Sequence, residues 1–112
     1  MKQESHWPDD ADGDVFRRLS DDGFDFNQEC VVDFSIDFTH WPRQMDDLCE
    51  SIRSLWSQAT ITPVGNDSLL VQIKARLDYS FVVSVQKQLT DLARAHGGAC
   101  ESWGLLHRRP SP

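Results

Sequence analysis

Apolar and polar positions alternate strictly from Cys30 to Thr39, with Cys30, Val32, Phe34, Ile36 and Phe38 on one side and Asp33, Ser35, Asp37 and Thr39 on the other. A period of two belongs to a half-buried β-strand, so one face joins a core and the other, with two carboxylates, meets solvent or a partner. The alternation returns at Leu69, Val71, Ile73, Ala75 and Leu77, with Gln72, Lys74, Arg76 and Asp78 opposite. Between these two runs the period turns helical. Met45, Leu48, Cys49, Ile52, Leu55 and Trp56 form an i, i+3, i+4, i+7 stripe, and Thr39 and Pro42 are placed to cap and open a helix reaching about Trp56. Ala59 to Val64 predicts another strand, joined to the next by a Gly65-Asn66-Asp67 hairpin turn.

Helical spacing resumes after Ser80, a candidate cap. Val82, Val85, Leu89, Leu92, Ala93 and His96 share a stripe that Gly97-Gly98 stops, and Cys100 to Leu106 predicts a last strand. Ahead of the first strand, Asp9 to Asp22 predicts a helix with acids in its first turn and Gly23 at its end. Its apolar face is narrow, and so short a helix is marginal alone in water, so it must dock through Phe16 and Leu19. The order after it is strand, helix, strand, strand, helix, strand. This predicts an α+β fold, a ferredoxin-like split βαβ sandwich: a four-stranded sheet with two helices on one face, plus the N-terminal accessory helix. The expected division is a flexible lead-in over residues 1–8, one domain over 9–107 and a flexible tail over 108–112.

Charge changes the picture. Residues 1–50 hold 14 acids against 4 bases, and residues 51–112 hold 4 against 7, so the net charge of −7 is concentrated in the first half. An acidic surface disfavours nucleic acid and favours a basic partner. No stretch is apolar enough to span a membrane, and Met1 to Asp10 lacks a secretion-signal pattern, so the expected compartment is the cytoplasm. Cys30, Cys49 and Cys100 are odd in number and widely spaced, which predicts buried free thiols. His6, His40, His96 and His107 have no cysteine or carboxylate at ligand spacing, and no nucleophile–base pair or phosphate loop stands out. The expectation is therefore no enzyme, no metal and no cofactor.

Split βαβ domains that bind RNA present aromatic rings on the open face of their central strands. Here those positions are Asp33, Ser35, Asp37, Gln72, Lys74 and Arg76, which argues against nucleic acid on that face. Their charges either neutralise one another across neighbouring strands or are offered to another molecule. By strand parity Trp103 shares a side with Glu101, so a solvent-facing Glu101 brings Trp103 to the open face, either covered by the accessory helix or left as a contact anchor.

The element order, the acidic helix ending near Asp22-Gly23-Phe24-Asp25, the Val32-Asp33-Phe34 strand and the stretch from Leu92-Ala93-Arg94-Ala95-His96-Gly97-Gly98 to Trp103-Gly104 together resemble the regulator of ribonuclease activity B family, over about residues 12 to 106. The family's glycine pair followed by an aromatic-acid-Gly-Trp-Gly strand is matched by Cys100-Glu101-Ser102-Trp103-Gly104, in which the acid, Trp and final Gly stand. The resemblance implies a non-enzymatic ferredoxin-like protein that binds the basic, poorly ordered C-terminal part of the endoribonuclease RNase E and lowers or redirects RNA cleavage. The expected contact surface draws on Asp33, Asp37, Glu101, Asp21 and Asp22, with Asp12 and Asp14 nearby and Trp103 or Trp41 as apolar anchor. Two rivals stand beside it: a small-ligand module using a groove beneath the accessory helix, and a homodimer pairing open sheet faces.

Overall fold

The structure, a computed structural model, describes residues 7–105. His6, His107, Leu106, most of the expected lead-in and the whole expected tail lie outside the described residues. The elements are α1 (Ala11–Asp21), β1 (Glu29–Phe38), α2 (Met45–Leu55), β2 (Thr60–Val64), β3 (Ser68–Arg76), α3 (Tyr79–Arg94) and β4 (Gly98–Leu105). The strands form one antiparallel sheet in the order β2-β3-β1-β4. This is the ferredoxin-like α+β arrangement expected from the element order, with α1 added.

The two alternating runs become the central strands. Val32, Phe34 and Ile36 of β1 and Leu69 and Val71 of β3 are almost wholly buried, against Leu48 and Ile52 of α2 and Val82, Val85 and Leu89 of α3. Each of these side chains is removed from water at roughly 1.5–3 kcal/mol, which holds both helices on one sheet face. On the edge, Pro63 pairs with Leu69 from β2, where a residue without an N–H blunts the rim against further strand pairing.

Several boundaries move for identifiable reasons. Thr39 does not cap α2: its N–H donates to the Gly97 carbonyl, Pro42 is buried outside the helix, and the helix starts only at Met45. Asp78, not Ser80, caps α3, its carboxylate accepting from the Phe81 N–H at 3.1 Å. The glycine pair serves two separate needs. Gly97 closes α3 with φ of 79°, whereas a Cβ on Gly98 would lie 2.5 Å from the Phe38 ring.

Candidate functional site

The open sheet face carries the two β1 carboxylates. In the β1–β3 register Asp33 lies opposite Gln72 and Asp37 opposite Ser68, while Lys74 faces Val31 and Arg76 faces Glu29. The bases are therefore displaced along the ladder from the acids, and of the two alternatives the sequence left open, neutralisation by Lys74 and Arg76 does not form among the described residues. Instead, Gln72 Nε2 donates to Asp33 Oδ1 at 3.0 Å and Ser68 Oγ donates to Asp37 Oδ1 at 2.6 Å. Both donors are neutral, so each carboxylate is oriented without a cation paired to it among the described residues. The ion pairs among the described residues are Arg17 with Asp9 and Asp14, and Asp91 with Lys87 and Arg94. Asp33 is half-buried and Asp37 exposed.

Trp103 is not on this face. Ser35 pairs with Ser102 but Ile36 pairs with Cys100, so Glu101 is the extra residue of a β-bulge. The bulge reverses the parity after it: Trp103 lies opposite Phe34 on the helix side, while Glu101 and Ser102 are both exposed. A spacing of three between Cys100 and Trp103, both packed on the core, was the available signal, because apolar residues three apart share a strand face only across a bulge.

Trp103 serves as the dock for α1. Its ring lies 5.5 Å from that of Phe16, and its indole N–H donates to Asp12 Oδ1 at 2.9 Å. Phe16, wholly buried, also meets the rings of Trp7, Phe26 and Tyr79 at 5.6–6.0 Å. Trp7, assigned from sequence to the lead-in, is thus packed against the domain, and its carbonyl accepts from Arg17. These rings fill the space beneath α1 where the rival small-ligand reading needs its groove. A shallow depression of about 340 Å³ lies instead along α3, bordered by Val83, Gln86, Lys87, Thr90, Asp91 and Arg94.

The acids of α1 are largely committed inside the chain. Asp10 caps the helix through the Gly13 N–H at 2.7 Å and accepts from the Tyr79 hydroxyl at 2.6 Å. The Tyr79 hydroxyl, and then the Gly13 N–H, hold the Asp10 carboxyl below its usual range, and the same bond pushes Tyr79 up to about 12. Asp12 accepts from Trp103 and Gln86, and Asp14 pairs with Arg17. Asp21 and Asp22 are exposed at the end of α1, in the helix layer, across the sheet from Asp33 and Asp37. The six expected contact residues therefore do not form one surface. Asp33 and Asp37 share the open face, Glu101 stands on the neighbouring strand, Asp21 and Asp22 lie elsewhere, and Trp103 is spent on α1. Trp41 remains 38% exposed just beyond the Asp37 end of β1, its ring 5.9 Å from Phe38.

All three cysteines are free and half-buried. Burial raises each thiol, and Cys100 is pushed up to about 11. Because the thiolate is the reactive form, Cys100 holds about a hundredfold less of it near neutral pH than an ordinary thiol. A disulfide reagent at pH 8 is expected to modify the native protein slowly and the denatured protein rapidly at all three cysteines; rapid native labelling of Cys100 would contradict its packing.

Among the described residues no group of His, Cys, Asp and Glu is arranged to hold a metal ion, and no helix is long and apolar enough to cross a membrane. No curated protein matches the chain. One family model does match, that of regulator of ribonuclease activity B, over residues 9–105. With nearly the whole described chain covered, this protein belongs to the regulator of ribonuclease activity B family.

Proposed function

We propose that this family member works without catalysis, in the cytoplasm, by holding a basic segment of an RNase E-type endoribonuclease on its open sheet face and lowering RNA cleavage and decay. The observation that carries this reading is the state of Asp33 and Asp37: fixed by neutral donors, on one strand face, with no cation of the described chain against them. Two carboxylates four residues apart along an extended strand stand about 13 Å apart, a spacing that an extended basic segment can match. Individual surface charge pairs contribute only about 0.2–1 kcal/mol, so affinity also requires an apolar contact, and Trp41 is the exposed ring at that end of the sheet. Nucleic acid is not the ligand of this face, which presents carboxylates where base-stacking domains present rings.

The test is capture of a basic endoribonuclease segment as a function of salt. Between about 0.1 M and about 1 M the screening length falls from ~10 Å to ~3 Å, so capture is expected to drop steeply over that range. Capture that is indifferent to salt rules out steering and retention by these carboxylates.

A further inference from the structure

Asp33 and Asp37 are each held from directly across the ladder. Gln72 is the cross-strand partner of Asp33 and Ser68 that of Asp37, and each donates to the Oδ1 atom of its carboxylate, at 3.0 Å and 2.6 Å. Ser68 Oγ also lies 3.5 Å from Asp67 Oδ1, so one hydroxyl stands between two carboxylates, with Asp37 at the shorter distance. Asp67 is tied to the same strand end, its carbonyl accepting from the Phe38 N–H at 2.8 Å. Without the hydroxyl the two like charges lose their common donor and repel, and Asp37 loses its fixed position. Between the two acids lies the Ser35–Leu70 pair, both half-buried, and one row beyond Asp33 stands exposed Lys74, opposite Val31.

We infer, on the footing of the function proposed above, that Gln72 and Ser68 are positioning residues that make the open face a gauge of spacing. The occupant it fits is an extended segment with two basic side chains four residues apart and an apolar one midway. In an extended chain alternate side chains point the same way, at a rise of about 3.3 Å per residue. Residues i, i+2 and i+4 of such a segment therefore meet Asp37, the Ser35–Leu70 row and Asp33 in turn. Adjacent bases point to opposite sides, and only one of them addresses the face. Lys74 repels a third base one row further on, so an unbroken basic tract gains nothing over the spaced pair. Fixed carboxylates are what give the spacing its force: their ordering is settled before the partner arrives, whereas mobile ones would follow a base wherever it stood.

The test titrates two peptides of identical composition against the full chain by NMR at low salt, one with lysines four residues apart about a central valine, the other with the lysines adjacent. The spaced peptide is expected to bind about threefold more tightly, the effect of one further surface charge pair. Ser68→Ala combined with Gln72→Met is expected to bring the two affinities within about 1.5-fold of one another. Ser68→Thr, which keeps the hydroxyl, is expected to hold the native ratio. A ratio of affinities does not depend on the folded fraction, so a merely structural role for either residue leaves it unmoved. A native chain that binds both peptides alike or neither, a combined variant that keeps the native ratio, or a Ser68→Thr protein that loses it each overturn the inference. Asp33→Asn with Asp37→Asn separates the two readings. Spaced-peptide binding that survives this pair removes the acids as the contact, and both readings fall; binding that collapses while the native chain shows no spacing preference leaves the functional reading standing and removes only the gauge.

Discussion

Replacing Phe16 with alanine is expected to destabilise the protein by about 3–5 kcal/mol, the cost of emptying a buried aromatic site that cannot collapse. For a domain of this size that lowers the melting temperature by roughly 12 °C or more. Phe16 is wholly buried, and its ring is in contact with those of Trp7, Phe26, Tyr79 and Trp103, so its loss opens a void shared by α1, α3 and β4. Leu19 is the other large buried side chain of the helix, and the Asp12–Trp103, Asp12–Gln86 and Asp10–Tyr79 hydrogen bonds are peripheral to the Phe16 ring. Undocking α1 exposes the Trp103 indole, so acrylamide quenching of tryptophan emission should rise in step with the fall in stability. A Phe16→Ala protein that melts within about 4 °C of the native one, a change of 1 kcal/mol or less, shows that α1 is not integral to the core.

The second large effect is on partner capture. Changing Asp33 and Asp37 together to lysine removes two attractions to a basic segment and adds two repulsions, an expected loss of about 1–4 kcal/mol, or roughly fivefold to several hundredfold in Kd. The companion pair Asp33→Asn and Asp37→Asn isolates charge from geometry. Each asparagine keeps a side-chain oxygen that can accept from Gln72 or Ser68, so the face keeps its hydrogen bonds while losing its charge. It is expected to weaken capture by about half as much in free energy and to leave thermal stability unchanged. Capture that survives both substitutions moves the contact to Asp21 and Asp22 in the helix layer, or to Trp41. Parallel RNA-cleavage assays with the endoribonuclease should show inhibition declining with capture. Inhibition that persists without capture removes occupation as the mechanism.

Much of this architecture was legible before any coordinates. The alternating runs around Phe34 and Val71, the helical stripes through Ile52 and Leu89 and the stops at Gly65 and Gly97 each arise from contacts a few residues apart, and each appears where the pattern put it. The errors lie where a distant segment decides the outcome. Residues 39–44 read as a helix start, but the Thr39 N–H is claimed by Gly97 and Pro42 is buried outside the helix. Trp103 read as an open-face residue because parity assumes a continuous strand, and the bulge at Glu101 broke that continuity.

The candidate site divides in the same way. Sequence alone determined that Asp33 and Asp37 share a face opposite the core, because side-chain direction along a strand depends only on the backbone period. It also determined that α1 must find a dock, because so short a helix with a narrow apolar stripe cannot stand by itself. Only the tertiary structure decided which charges meet. Register across β1 and β3 set Gln72 and Ser68, rather than Lys74 and Arg76, against the two carboxylates, and the bulge in β4 delivered Trp103 to Phe16 and Asp12. Pairing between segments more than thirty residues apart is fixed by how the whole core packs, and a shift of two positions in that register would have set Lys74 opposite Asp33.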